Sequence, residues 1–437
     1  EAPTALLGEF DKAYLDLPRE VLVSVMKKHQ RYFPVEKKGK LLPYFITIAN
    51  KPSPENEYKD LPLITQGNTD VILARFADAE YFVRVDRSKK LNEYLPALDL
   101  LTFQVDLGSM GDKTKRIRDL VDKIAPLIGL SKEDLASARR AAELCKADLV
   151  TKMVVEMTSL QGVMGYYYAL NSGEKEPVAE AIREHYLPAS AGDSGPKTKA
   201  GLLVGLADKL DSLTGLFAAG LAPTGNKDPF AQRRAALGLV NNLISWDIDL
   251  DLNTAVDQAI SELPIKAGST TRTACLEFIR DRLHNYLRDE GFKHDVVDAV
   301  VTAQGHNPAG ASRAVKLLNS WVTKEDWELT LDSFARCVRI TRDLSETYSV
   351  DKKSFKEDEE ATLFKAVEKA SAVDKKAGDL DAFFKVFTPL IPHITKFFEN
   401  VLVMDEDQAV RENRLGILQS IARIADGVLD MTRLEGF

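Results

Sequence analysis

The chain has 437 residues, enough for about three domains of ~100–200 residues each, and 45% of them are hydrophobic against 28% charged, the balance of a chain with several buried cores. A net charge of -8 argues against a generic nucleic-acid coat but leaves room for a local basic patch. No apolar run approaches the ~20 residues that span a bilayer, which excludes an integral helical membrane protein.

The first 97 residues read as a partial α+β region. Val21–Met26, Arg31–Val35 and Tyr44–Ala49 are short runs rich in β-branched and aromatic residues, the composition of strands. The last two flank Lys38-Gly39-Lys40 and predict a hairpin, and a helix follows over about Asn68–Tyr81. These strands are too few to close a sheet of their own. Glu1 stands where an initiator Met would, so the chain is expected to be processed or cut from something longer.

Beyond Leu98 the period is helical. Apolar residues recur at three- and four-residue steps over Lys113–Ile128, Lys132–Val155, Pro177–His185, Thr198–Ala219 and Pro229–Leu243. Leu187–Lys197, with two prolines and two glycines, is a break. Further helical blocks cover about 254–322 and 323–437, the second interrupted at Ser345–Ser354. Cys145, Cys275 and Cys337 each lie in a helical apolar pattern, which predicts buried free thiols and a reducing compartment.

The run Ala222–Arg234 is a stop and restart. Pro223, Gly225, Asn226, Asp228 and Pro229 favour turns; Asp228 is then expected as N-cap, with Pro229 at the first helical position. Lys227, Arg233 and Arg234 cluster there, an arrangement suited to a phosphate-bearing partner. The same run also fits an ordinary helix–turn–helix corner.

A second cationic pattern lies in Ser333–Arg342, where Arg336, Arg339 and Arg342 recur every third residue. On a helix that spacing drifts about 60° per step, so the three share one broad face. Such a stripe suits an RNA backbone or unstacked bases, or else a surface face paired with Asp332 and Asp343. Arg411 and Arg414 open a final amphipathic helix. Near the other end, His29 sits in the basic and aromatic cluster Lys27–Tyr32, which suits either RNA contact or a solvated strand end.

Catalytic and metal signals fall short. A divalent-metal hydrolase of the HD kind needs a His, a His-Asp doublet and a later Asp. Here Lys146-Ala147-Asp148 has Ala where the doublet needs His. His185 is the sole nearby imidazole, and Asp208 and Asp211 supply late carboxylates. No Gly-x-Ser-x-Gly elbow, P-loop or dinucleotide fingerprint is present.

Taken in order, Leu17–Leu22, Met26–Val35, Arg75–Phe82, Asp112–Thr114, Lys146–Met153, Leu160–Gly165, Ala207–Asp211, Pro223–Arg234 and Phe398–Leu415 resemble the β subunit of bacterial-type glycyl-tRNA synthetase. The resemblance implies a mainly α, multidomain chain: residues 1–97 the tail of a B3/B4-like region, 98–245 an HD-like helical domain, 246–330 a helical body, and 331–437 an anticodon-binding helical domain of the DALR type also found in arginyl-tRNA synthetase. It implies the C-terminal portion of a β subunit, or of a fused α-β enzyme, that binds tRNA(Gly). A separate class II α module would make glycyl-adenylate and hold ATP and Mg. This chain would then carry no catalytic residue, no cofactor and no metal. Lys227, Arg233, Arg234, Arg336, Arg339, Arg342, Arg411 and Arg414 become candidate tRNA contacts. The partners implied are tRNA(Gly) and the α subunit in an oligomeric holoenzyme, away from membranes, in bacterial cytoplasm or an organelle. Two other readings stay open: a metal-dependent HD-type phosphohydrolase using His185, Asp148 and Asp211, and a purely structural assembly subunit.

Overall fold

The computed structural model describes residues 3–50, 61–190, 192–373 and 378–437. They form two compact units, Glu1–Ala222 with Gln258–Gly268, and Pro223–Asp257 with Ser269–Phe437. The fold is mainly α, with one small α+β piece at the front of the first unit.

That piece is an antiparallel sheet of β1 (Pro3–Glu9), β2 (Phe33–Lys37) and β3 (Lys40–Asn50) in the order β1-β3-β2. The predicted hairpin is present. It turns at Lys38 and Gly39, whose φ values of 51° and 76° make the mirror-image turn that matches strand twist. β1 has no counterpart in the sequence reading. Val21–Met26, expected as a strand, is instead a helix over Arg19–Ser24 that runs on into a wider turn at Val25–His29. Val21, Leu22, Val25 and Met26 are all buried, a helical stripe that overrides their β propensity. α1 (Leu61–Asp86) extends the expected helix at both ends and seats Phe76 edge-on against Phe10, ring centroids 5.0 Å apart.

The helical part of the first unit contains α2 (Met110–Ile128), α3 (Lys132–Leu144), α4 (Val163–Asn171), α5 (Glu176–Glu184) and α6 (Lys199–Ala218). Ser109 and Asp112 close a capping box at the start of α2. α6 is buried on all sides from Ala200 to Asp211 and packs against α2, α3 and α5, so it is the axis of this unit.

The helix expected over Lys132–Val155 stops at Leu144. Asp148 turns inward and accepts N–H bonds from Gly162 (2.6 Å) and Gly165 (3.1 Å). The buried Asp86 carboxylate accepts from the backbones of Lys152 and Met153 (2.9 Å each) and from the Tyr168 hydroxyl (2.8 Å), starting a new short helix at Lys152–Glu156. Local periodicity gives no sign of these long-range caps.

The second unit contains α7 (Gln232–Ser245), α8 (Ser269–Asp289), α9 (His294–Gln304), α10 (Pro308–Trp321), α11 (Trp327–Thr341), α12 (Asp358–Ser371), α13 (Ile391–Asn400) and α14 (Gln408–Ala422). α7, which the sequence groups with residues 98–245, packs on α8 and α10 within this unit. An aromatic core joins Phe334, Phe383 and Phe387, with Phe383 and Phe387 stacked at 5.5 Å. The expected break near 345–354 is held by side chains of α14: Asn413 exchanges hydrogen bonds with the Asp351 backbone, and Gln419 accepts from Tyr348 N–H. All three cysteines are buried and free. Burial raises the Cys145 and Cys275 thiols to about 12 and lifts Cys337 further, so none is a ready nucleophile.

Candidate nucleic-acid interface

Of the residues weighed as a metal centre, His185, Asp208 and Asp211 converge at the middle of α6, but cationic side chains occupy the space between them. Lys146 Nζ donates to Asp208 Oδ2 at 2.8 Å and lies 2.9 Å from His185 Nε2. Lys113 Nζ, from α2, sits 2.9 Å from Asp208 Oδ1 and 2.8 Å from Asp211 Oδ2, and Arg116 takes the other Asp211 oxygen. His185 Nδ1 donates to Ile182 O at 2.6 Å, which leaves Nε2 as the acceptor for Lys146. Burial, then the Lys146 ammonium, hold the His185 imidazole well below its usual pKa and therefore neutral. Burial alone would raise the Asp208 carboxyl; the Lys113 and Lys146 ammoniums outweigh it and hold the group well below the usual carboxylate range. Asp148 points away, into the backbone of Gly162 and Gly165. Three fixed cations among one imidazole and two carboxylates repel a divalent ion, so this donor set does not fit a hydrolytic metal.

The cationic corner is built differently from its sequence expectation. Helix α7 begins at Gln232, not Pro229, and its N-cap position is Ala231, in the left-handed region at φ 54°. Asp228 still caps the helix, from further back: Oδ1 accepts from Gln232 N at 2.8 Å and Oδ2 from Arg233 N at 2.9 Å. The Arg233 guanidinium folds back onto Gly225 O and braces the turn. Lys227 and Arg234 are exposed, and so is the ring of Phe230 between them in sequence. The sequence reading passed over Phe230, although an exposed aromatic within a basic turn offers a stacking surface for a base.

Arg336 and Arg339 on α11, and Arg342 at its C-cap, face solvent, while Trp327, Leu331, Phe334 and Cys337 turn inward. Arg336 pairs with Asp332 at 2.9 Å one turn back, Arg339 lies over the Phe437 ring at 5.5 Å, and Arg342 is 3.8 Å from Asp343. Exposed pairs of this kind contribute about 0.3–0.5 kcal/mol, so a phosphate competes for these cations at little cost.

Arg414 is the opposite case. It is 3% exposed; Nε donates to the buried Glu360 at 2.9 Å, and Nη1 to Leu402 O and Asp405 Oδ2 at 2.8 and 2.9 Å. Its guanidinium is committed inside the protein, so it leaves the set of candidate tRNA contacts. The signal was present in the sequence: Val410, Arg414, Ile417 and Ile421 fall on one helical stripe. Half-buried Arg411 donates to Asp405 O at 2.9 Å and steadies the same loop. The side chain of His29 lies outside the described residues.

Residues 1–302 match the family model described as glycyl-tRNA synthetase beta subunit. The chain belongs to that family. Residues 330–434 match the DALR anticodon binding domain, so α11 from Thr330 onward and α14 fall within that match and the Pro223–Arg234 corner within the first. The chain is similar to the glycine–tRNA ligase beta subunit of Halalkalibacterium halodurans, at 37% identity over 97% of this chain and 62% of the relative. It is similar to that of Clostridioides difficile, at 39% identity over 99% and 63%. It is also similar to the Arabidopsis thaliana protein named glycine–tRNA ligase, chloroplastic/mitochondrial 2, at 36% identity over 100% of this chain and 41% of that one. This member of the beta subunit family thus spans under two thirds of the length of those relatives. Among the described residues no helix is long and apolar enough to cross a membrane.

Proposed function

We propose that the chain is a tRNA-binding beta region of a glycine–tRNA ligase, presenting RNA to a class II catalytic module on another subunit or another part of a longer chain. In this reading ATP and Mg belong to that module, and the chain here contributes no reacting group. The tRNA is tRNA(Gly), the protein partner is the α subunit or region, and the compartment is bacterial cytoplasm or an organelle. The observation that carries the proposal is the solvent-facing Arg336, Arg339 and Arg342 row on the first helix of the segment matching an anticodon binding domain. The Lys227, Phe230 and Arg234 corner supplies a second place to hold backbone and stack a base. The ammonium-filled centre supports the same reading against a phosphohydrolase, since its side chains are engaged with one another.

The test is binding of the 437-residue chain to tRNA(Gly) and to a non-cognate tRNA across a salt series. A steep counterion-release slope with preference for tRNA(Gly) is expected. Equal weak binding to both would reduce the role to assembly, and turnover of a phosphorylated nucleotide by the chain alone would restore the hydrolase.

A further inference from the structure

We propose that α8 and α9 carry a site for a transition-metal cation of the Zn2+ class, with His284, His294 and Asp298 as its protein ligands. The sequence reading did not single these residues out, and nothing in the proposed tRNA role requires them. His294 and Asp298 are one turn apart on α9, the spacing that puts two donors on the same helical face. His284 comes across from α8, which packs against α9.

Asp298 uses both oxygens. Oδ1 lies 2.8 Å from His284 Nε2, and Oδ2 lies 3.1 Å from His294 Nδ1. The three sets of donor atoms fall within 4.8 Å of one another. Zinc–nitrogen and zinc–oxygen bonds of ~2.0–2.1 Å place neighbouring donors ~3 Å apart, close to these separations.

A simple imidazole–carboxylate pair would give His284 Nε2 a hydrogen bond to Asp298. Instead Nε2 is shut off from water and makes no hydrogen bond, although Oδ1 lies 2.8 Å away. A buried nitrogen without a hydrogen bond is unfavourable, and a cation between the three donors would give its lone pair a partner. The surrounding charges are compatible. Asp281 is one turn before His284, Arg288 is turned onto Phe292 O at 2.9 Å, and Asp295 is occupied by the Glu435 backbone N–H. His294 is 65% exposed at its side chain, so the outer coordination positions face water. Two imidazoles and one carboxylate suit Zn2+, Ni2+ or Cu2+ over Mg2+, which prefers oxygen. The ion would tie α8 to α9 within the second unit.

The probe is Zn2+ added to the untagged chain in excess Mg2+, read by competition with a chromophoric chelator and by the absorption spectrum of the Co2+ form. One equivalent is expected at pH 7.5. His294→Ala, at an exposed position that leaves the fold intact, and Asp298→Asn should each weaken binding at least tenfold, while His306→Ala should not. The proposal is overturned if no stoichiometric Zn2+ binds below about 100 µM, or if His294→Ala binds as the parent does.

Discussion

Lys146 Nζ bridges His185 Nε2 and Asp208 Oδ2 at 2.9 and 2.8 Å, so an amino-acid cation holds together an imidazole and a carboxylate that would otherwise face each other across an empty centre. Removing it leaves Asp208 with Lys113 alone and His185 Nε2 without a donor. Breaking one partner out of a buried ionic cluster costs about 3–5 kcal/mol, because the remaining charge stays out of water. Lys146→Met should therefore lower the stability of the first unit by ~3 kcal/mol, measured by hydrogen exchange of α6. The His185 pKa should move up toward its ordinary value, since one of the causes depressing it, the Lys146 charge, is gone while burial and Lys209 remain. An unchanged His185 titration by NMR would refute the assignment.

Asp148 gives the pH dependence. Burial raises its carboxyl from 3.8 to about 6, against the pull of the Gly162 and Gly165 N–H groups. A folded-state value above the unfolded one means that the native state binds the proton more tightly between those limits. The stabilising contribution is full below pH ~4 and is lost as pH rises through about 6, a change of ~3 kcal/mol for a shift of two units. Oδ1, buried and without a hydrogen bond, is the natural seat for the proton, because Oδ2 takes both N–H bonds. Asp148→Asn should remove this component from the stability of the first unit between pH 4 and 7, measured by denaturant unfolding at each pH. If the difference between parent and variant does not vary with pH, Asp148 does not titrate in this range.

Sequence alone carried the helical periods of α2, α5 and α6, the β2–β3 hairpin and the buried cysteines, because each depends on residues within a few positions of one another. It misplaced what depends on distant partners. Val21–Met26 has strand composition, yet four of its five apolar side chains find a common buried side only as a helix. The break after α3 is set by the glycine N–H groups that fix Asp148 and by Asp86, which starts the next short helix from more than 60 residues upstream of Lys152. Among the candidate cations, Arg336, Arg339 and Arg342 were legible as an outward face, since their spacing and the intervening Phe334, Cys337 and Val338 settle which side is apolar. The burial of Arg414 was legible from its apolar stripe, but the acceptors of Arg233 and Arg414, Gly225 with Asp228 and Glu360 with Asp405, were not, because they are defined by the folded chain.

Arg336 and Arg414 supply opposite outcomes from the same residue type. Replacing Arg336, Arg339 and Arg342 by Ala removes three exposed cations, each paired weakly if at all. Thermal stability should change by less than about 1 kcal/mol, while tRNA affinity falls at least tenfold and the log–log salt slope drops by ~2–3. Arg414→Ala should do the reverse. Stranding Glu360, which is fully buried, costs about 3–5 kcal/mol of stability in the second unit, and the salt slope for tRNA measured on the folded fraction stays at the parent value. A loss of slope in Arg414→Ala would return it to the RNA-facing set.

The corner before α7 separates bracing from binding within a few residues. Arg233 holds Gly225 O and stands beside Asp228, so Arg233→Ala should loosen the turn and raise amide exchange at Gln232 and Arg233. Lys227 and Arg234 make no such contacts among the described residues, and Lys227→Ala with Arg234→Ala should lower tRNA affinity without altering that exchange. Phe230→Ala should cost about 1–3 kcal/mol of binding if a base stacks there, with little change in salt slope, because stacking releases no counterions. Ala231 sits at φ 54°, where glycine is free and alanine is strained. Ala231→Gly removes that strain but enlarges the unfolded ensemble, so stability should change by less than about 1 kcal/mol and RNA affinity not at all. A large affinity loss in Ala231→Gly would mean that the rigid shape of the turn, rather than its charges and ring, is what the RNA recognises.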